Sequence, residues 1–203
     1  MKVLNLYAGI GGNRKLWEDV EVTAVEYDPK IAEVYQSFFP NDKVIVADAH
    51  QYLLDHHKEF DFIWSSPPCP SHSRINTDGN QKPKYPEMSL YQEIIFLGNN
   101  WFKGKWCIEN VLPYYKPLVV PTIEIGRHYF WANFHIDRVC PKKEKPVALQ
   151  TGTNGRYGFD ISGLKMGQRK DQILRNLVDP EIGKYILDCA RQEPENQLTL
   201  EMK

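Results

Sequence analysis

Apolar residues fall in short runs separated by turns and by stretches of helical period. Val3-Leu4-Asn5-Leu6-Tyr7, residues 21–26, 43–47 and 60–64, and Trp106-Cys107-Ile108 are β-favouring runs of strand rather than helix length. Between them, Ile31, Val34, Tyr35 and Phe38 recur at helical spacing, as do Leu90, Ile94, Ile95 and Leu97, with a further helix around Tyr52 to His56. A helical stretch through Leu16 and Trp17 is also expected after the first strand. This alternation predicts an α/β fold, a mostly parallel sheet with helices on both faces. From Val119 to Phe134 the helical period gives way to Tyr129, Phe130, Trp131 and Phe134, and a terminal β-hairpin is expected. Residues 141–167, rich in Gly, Pro and Lys, read as irregular. A last helix opens near Pro180, a good first-turn residue, and a polar tail follows Gln192.

The 203 residues, 42% of them hydrophobic, suit one domain with a real core. No apolar run approaches the ~20 residues that span a bilayer, so no membrane partner is expected. The four cysteines (Cys69, Cys107, Cys140, Cys189) include no C-x-x-C pair. Hence no metal site is expected, and the thiols read as reduced. The strand-like start leaves no secretory signal; the expected setting is cytoplasmic, in a bacterial or phage-infected cell. The formal net charge is −1, yet residues 138–175 carry nine Lys/Arg against three Asp/Glu, a net of +6 that leaves −7 elsewhere. Such asymmetry points to a polyanion as readily as to a solvated basic loop.

Ala8-Gly9-Ile10-Gly11-Gly12 follows the first strand, where glycines allow a tight turn and close approach to a ligand. It lacks the G-x-G-x-x-G spacing and the Lys-Ser/Thr ending of phosphate loops. Glu26, ending the second strand, is placed to accept from a ribose diol, and Asp48, after the third, from an adenine amine. Together they describe a pocket for an adenosine-bearing cofactor without pyrophosphate; singly, each acid is as well read as a helix cap. Ser65-Ser66-Pro67-Pro68-Cys69-Pro70 follows the fourth strand. Its prolines end the ladder and present the Cys69 thiol at the sheet edge where α/β proteins bind ligands. A lone cysteine is more often a small buried hydrophobe, so the other segments must decide.

Five blocks in order resemble the cytosine-C5 methyltransferase family. Leu6-Tyr7-Ala8-Gly9-Ile10-Gly11-Gly12 is similar to its first motif, and Glu26-Tyr27-Asp28 to its ribose acid and adenine-stacking aromatic. Pro67-Pro68-Cys69 resembles its nucleophile loop, Glu109-Asn110-Val111 its Glu-Asn-Val signature, and Asn176-Leu177-Val178 its closing motif. The resemblance implies a Rossmann-like class I methyltransferase fold and S-adenosyl-L-methionine as cofactor, leaving S-adenosyl-L-homocysteine. It implies cofactor contacts from Tyr7, Ala8, Gly9, Ile10, Gly11, Gly12, Glu26, Tyr27, Asp48, Ala49, Pro67, Leu90, Asn176 and Val178. Three features depart from the family: Pro70 stands where Gln is usual; of a Gln-x-Arg-x-Arg motif only Arg127 remains; and only about 40 residues, 135–175, are left for target recognition.

Carbon-5 of cytosine becomes nucleophilic once a thiolate adds to carbon-6. The resemblance gives that role to Cys69, the acid at N3 to Glu109, held protonated, and stabilisation of O2 to Arg127. A duplex substrate must present the base flipped out. Ser71, His72, Ser73 and Arg74 would then clamp the gap, and Lys142, Lys143, Arg156 and Arg169 would hold the nucleic acid. The implied partner is DNA, with RNA less favoured, and the setting restriction-modification or regulation. The implied division is a catalytic unit of residues 1–137 and 176–192, a reduced recognition region of 138–175, and a tail of 193–203. Monomer and accessory specificity subunit both stay open. Alternatives are an exocyclic-amine methyltransferase, a tRNA cytosine-5 enzyme, and a catalytically silent cofactor-binding subunit.

Overall fold

The computed structural model describes residues 1–74, 85–99, 101–137, 156–161, 163 and 170–192. In chain order the elements are β1 (Lys2–Leu6), β2 (Glu21–Glu26), α1 (Pro29–Phe38), β3 (Lys43–Val46), α2 (Ala49–His56), β4 (Phe62–Ser65), α3 (Ser89–Gly98), β5 (Lys105–Val111), β6 (Ile123–Ile125), β7 (His128–Ala132), α4 (Lys170–Arg175) and α5 (Pro180–Arg191). The strands form one sheet in the order β3-β2-β1-β4-β5-β7-β6. The first five are parallel, and β7 runs antiparallel to both neighbours. This is the Rossmann-like order expected from the resemblance, terminal hairpin included. Strand order reverses at β1, flanked by β2 and β4, so the ligand crevice belongs at the carboxyl ends of these strands.

Alternating strand residues face opposite ways, and each set meets different helices. Leu4, Leu6, Val25, Ile63, Trp106 and Ile108 pack with Ala49 and Leu53 of α2 and with Leu90, Ile94 and Leu97 of α3. Val3, Val22, Phe62, Trp64, Cys107 and Phe130 meet Ile182, Ile186, Leu187 and Cys189 of α5. On that second face Tyr35 of α1 packs on Ala24. Burying these apolar faces is worth about 25 cal/mol per Å², which fixes the register, since a one-residue slip would turn each face to solvent.

One expected element is not formed. The chain through Leu16 makes turns rather than a helix. The helix is replaced because α5 occupies that face: a Cβ on Gly183 would fall 2.2 Å from the carbonyl oxygen of Asn13, and Trp17 Nε1 donates to the Gly183 carbonyl at 2.9 Å. The short helix α4 lies in the region read as basic rather than periodic. Among the described residues no helix is long and apolar enough to cross a membrane.

Candidate active site

Strand β1 delivers Tyr7 into the glycine turn in a left-handed conformation (φ 54°), with Gly9 and Gly11 also at positive φ. The Ala8 N–H donates to the Val25 carbonyl at 3.0 Å and lays the turn over β2. The glycines serve different ends. A Cβ on Gly11 would strike the Phe39 ring at 2.3 Å, and one on Gly12 would lie 2.7 Å from the Val178 carbonyl. Only Gly9 of the three has nothing within 4 Å of that position; there the backbone faces open space. Ala8 and Ile10 are buried.

Glu26 secures this turn. Its two carboxylate oxygens accept from the N–H groups of Gly9 at 2.9 Å and Asp28 at 3.0 Å, and each retains capacity for a further donor. Tyr27 beside it is 76% exposed. Asp48 is an N-cap, accepting from the Gln51 N–H at 2.8 Å, and its exposure leaves its second oxygen to solvent. Ala49, the first residue of α2, and Leu90 of α3 are buried. From the far end of the sequence, Val178 is brought against Gly12, while Asn176 is exposed.

The Cys69 loop leaves β4 at the neighbouring position. Asn110, buried on β5, donates from Nδ2 to the Pro67 carbonyl at 3.0 Å, tying the loop to the strand that carries Glu109. The Cys69 carbonyl accepts from the N–H groups of His72 at 2.9 Å and Ser73 at 3.1 Å, a tight turn. Ser73 bridges Pro113, and Arg74 donates to the Pro113 carbonyl at 3.1 Å. The loop is thus joined to the segment that follows β5. Burial pushes the Cys69 thiol up to about 11, the Glu109 charge pushes the same way, and Arg127 opposes both. Glu109 is buried, with Oε1 3.6 Å from Nε2 of buried His128. Arg127 sits in the β6–β7 turn after Gly126 (φ 63°) and donates to the Arg175 carbonyl.

Three residues of this region had no role in the sequence reading. Glu93 of α3 is fully buried; it accepts from the Tyr7 hydroxyl at 2.7 Å and the Ser65 hydroxyl at 2.5 Å, and lies 3.2 Å from His50 Nδ1. Its legible signal is a charge one residue before Ile94, within the apolar stripe of the helix. His128 and Asn110 lie inside motif blocks but gave no sign of their partners.

Two expected nucleic-acid contacts lie buried. His72 is fully buried, bonded to the Tyr115 hydroxyl, and burial pushes its imidazole below its ordinary value. Arg156, 3% exposed, donates to the carbonyls of Leu174 at 3.1 Å and Arg175 at 3.2 Å, capping the end of α4 where unpaired carbonyls favour a cation. Arg74 is exposed, and Ser71 and Ser73 are half-buried; Ser71 Oγ accepts from the Glu87 N–H at 2.9 Å. Lys142, Lys143 and Arg169 lie outside the described residues. Among those described, no group of three or more His, Cys, Asp or Glu could hold a metal ion.

Comparison with solved structures finds a Dnmt2 variant of Spodoptera frugiperda at 27% identity, covering 54% of this chain and 35% of that one, with a TM-score of 0.37. The S. pombe Dnmt2 methyltransferase matches at 21% identity over 56% and 37%, with a TM-score of 0.42. A putative methyltransferase complexed with SAH matches at 18% over 54% and 30%, with a TM-score of 0.38. The chain thus spans about a third of the length of each of these proteins. No curated protein sequence matches significantly. The model of the C-5 cytosine-specific DNA methylases matches residues 1–111, from the glycine turn through the Cys69 loop to Val111. With more than half of its residues so matched, the chain belongs to the C-5 cytosine-specific DNA methylase family.

Proposed function

We propose that this chain transfers a methyl group from S-adenosylmethionine to carbon-5 of a cytosine flipped out of DNA, through a covalent adduct with Cys69. One observation carries the reading: Glu109 and Arg127, from two other segments, both act electrostatically on Cys69 at the carboxyl edge of the sheet. The open backbone at Gly9 and the adjoining Glu26 carboxylate suit an adenosine-bearing cofactor. Tyr7, Ala8, Gly9, Ile10, Gly11 and Gly12, with Glu26, Tyr27, Asp48, Ala49, Pro67, Leu90, Asn176 and Val178, would hold it. When bound, it supplies an electrophilic methyl group.

A thiol pushed up to about 11 is protonated at neutral pH, so Cys69 reacts only as its proton leaves. Arg127 favours the thiolate, and the sulfur adds to carbon-6. The ring electrons move through carbon-5 toward N3, where Glu109 donates a proton, while Arg127 meets the charge at O2. This use of Arg127 requires its guanidinium to serve both the Arg175 carbonyl and the base. After carbon-5 is methylated its proton passes to water and Cys69 departs.

Arg74, Ser71 and Ser73 stand on the nucleophile loop, where a flipped base would enter. Lys142, Lys143 and Arg169 supply phosphate contacts in this reading. Residues 1–137 and 176–192 form the catalytic unit, and recognition falls to residues 138–175. Within that region Phe159 and Ile161 pack with Ile10, Ile31 and Val34, so residues 156–161 brace the glycine turn and the recognition surface is smaller still. The test is transfer of labelled methyl groups to duplex DNA, single-stranded DNA and tRNA, with the product nucleoside identified by mass spectrometry. The proposal expects 5-methylcytosine in DNA; label in tRNA alone, or on an exocyclic nitrogen, contradicts it.

A further inference from the structure

A carboxylic acid opposite a nucleophilic sulfur needs a proton to give, and Glu109 has a neighbour able to share one. In the β5–β7 ladder Glu109 stands opposite Phe130 and Val111 opposite His128. Glu109 and His128 are therefore diagonal neighbours on one face of the sheet. Both are buried, with Nε2 and Oε1 3.6 Å apart. The Phe130 ring lies 6.4 Å from the imidazole, an apolar flank that strengthens charge interactions. Cys69 on the nucleophile loop and Cys107 two residues earlier on β5 both feel the Glu109 charge, and Arg127 is next to His128 in the chain.

We propose that His128 is a positioning residue that acts through Glu109, the two side chains together seating one proton that passes between the nucleophile and the base. The proposal rests on the reading of Glu109 as the acid at N3. The proton that leaves Cys69 Sγ is taken up by the pair, as imidazolium beside carboxylate. As the Sγ–C6 bond forms, the C5=C6 pair shifts to C4=C5 and the N3=C4 pair to N3. That proton passes from His128 Nε2 to Glu109 Oε1 and on to N3, leaving neutral imidazole beside carboxylate. The net change is addition of a thiol across the ring, neutral in charge, with no external acid. Elimination returns the proton along the same route. The seated proton also offsets the Glu109 charge that opposes ionisation of Cys69.

Addition without methyl transfer leaves an enamine whose carbon-5 picks up a proton from solvent, so the probe is exchange of the cytosine H5 for deuterium in a cytosine-containing duplex oligonucleotide without cofactor, read by mass spectrometry between pH 5.5 and 9. The wild-type chain is expected to exchange with a pH-dependent rate. His128→Phe should slow exchange on the order of 10²-fold, the low end of what a positioned acid or base contributes, and His128→Gln should lose one limb of the pH profile. Added imidazole should restore part of the rate in His128→Ala. Wild-type rate and profile in His128→Gln overturn the inference. So does a rate loss in His128→Ala that imidazole leaves untouched, since that marks a packing role only. If Cys69→Ser and Glu109→Gln abolish exchange while the His128 variants retain it, the acid reading of Glu109 stands and this inference alone falls. If the wild-type chain exchanges nothing, the proposed function falls with it.

Discussion

At the scale of single residues, the chemistry turns on the environment of one sulfur. Burial and the Glu109 charge push the Cys69 thiol up to about 11 while Arg127 pulls it down. At pH 8 the thiolate fraction is then about 10⁻³, and alkylation by iodoacetamide should be slow and rise with pH toward that value. Glu109→Gln removes an opposing charge and should speed alkylation at fixed pH; Arg127→Ala should slow it, each pKa unit being worth about tenfold. Peptide mapping separates Cys69 from Cys107 and Cys189, which burial also pushes up. A Glu109→Gln rate at or below wild type would remove the electrostatic account.

Glu93 provides a second test at this scale. Replacing it with Ala leaves the Tyr7 and Ser65 hydroxyls and His50 without their shared acceptor, a loss of about 2–4 kcal/mol for a buried charged hub, measurable by urea unfolding. His50 is raised above its ordinary value chiefly by its hydrogen bond to Glu93. A raised pKa in the folded state means that this stabilisation is full below about 6.5, the unfolded value. It fades as pH rises through the folded value. His50→Gln should flatten that decline, and an unchanged pH dependence would show that His50 is not its source.

At the scale of elements, two glycines distinguish packing from propensity. Gly183 lets α5 lie against the Asn13 backbone, so Gly183→Ala forces the helix away and should cost about 1–3 kcal/mol, as overpacking does. Gly98, at the exposed end of α3, has its nearest neighbour at 3.9 Å. Gly98→Ala should be neutral or stabilising by up to about 1 kcal/mol. Thermal denaturation of the two variants checks the contrast, and equal losses would contradict the packing described for α5. The same contact explains what the sequence concealed. Hydrophobic period made β1 to β5, α1 to α3, the terminal hairpin and α5 legible, because each is a local pattern. The stretch through Leu16 carries a helical pattern as well, yet α5, more than 150 residues later, takes its place. Helix α4 is only six residues long, too short for periodicity to declare itself.

For the whole molecule, motif order brought Cys69, Glu109 and Arg127 to one sheet edge on paper, and the fold places Glu109 and Arg127 within electrostatic reach of Cys69. Partners across the chain were not legible, since neither His72 with Tyr115 nor Arg156 with the end of α4 leaves a local trace. Charge composition counted Arg156 with the exposed basic residues, whereas its guanidinium donates to the carbonyls of Leu174 and Arg175. If residues 138–175 contact DNA, the logarithm of the binding constant should fall linearly with the logarithm of salt concentration. Lys142→Ala and Lys143→Ala should each lower that slope by about 1 where the lysine neutralises a phosphate. Filter binding at several salt concentrations measures this, and unchanged slopes in both variants would exclude these lysines.

The most direct measurement is to incubate the protein with S-adenosylmethionine and a duplex in which 5-fluorocytosine replaces cytosine. Fluorine at carbon-5 cannot leave as a proton does, so a covalent intermediate cannot resolve. The account predicts a protein–DNA complex that survives denaturation, with the linkage mapped to Cys69 and lost in Cys69→Ala. Methylation of ordinary cytosine by the same preparation, without any such complex or with the complex retained in Cys69→Ala, would contradict it.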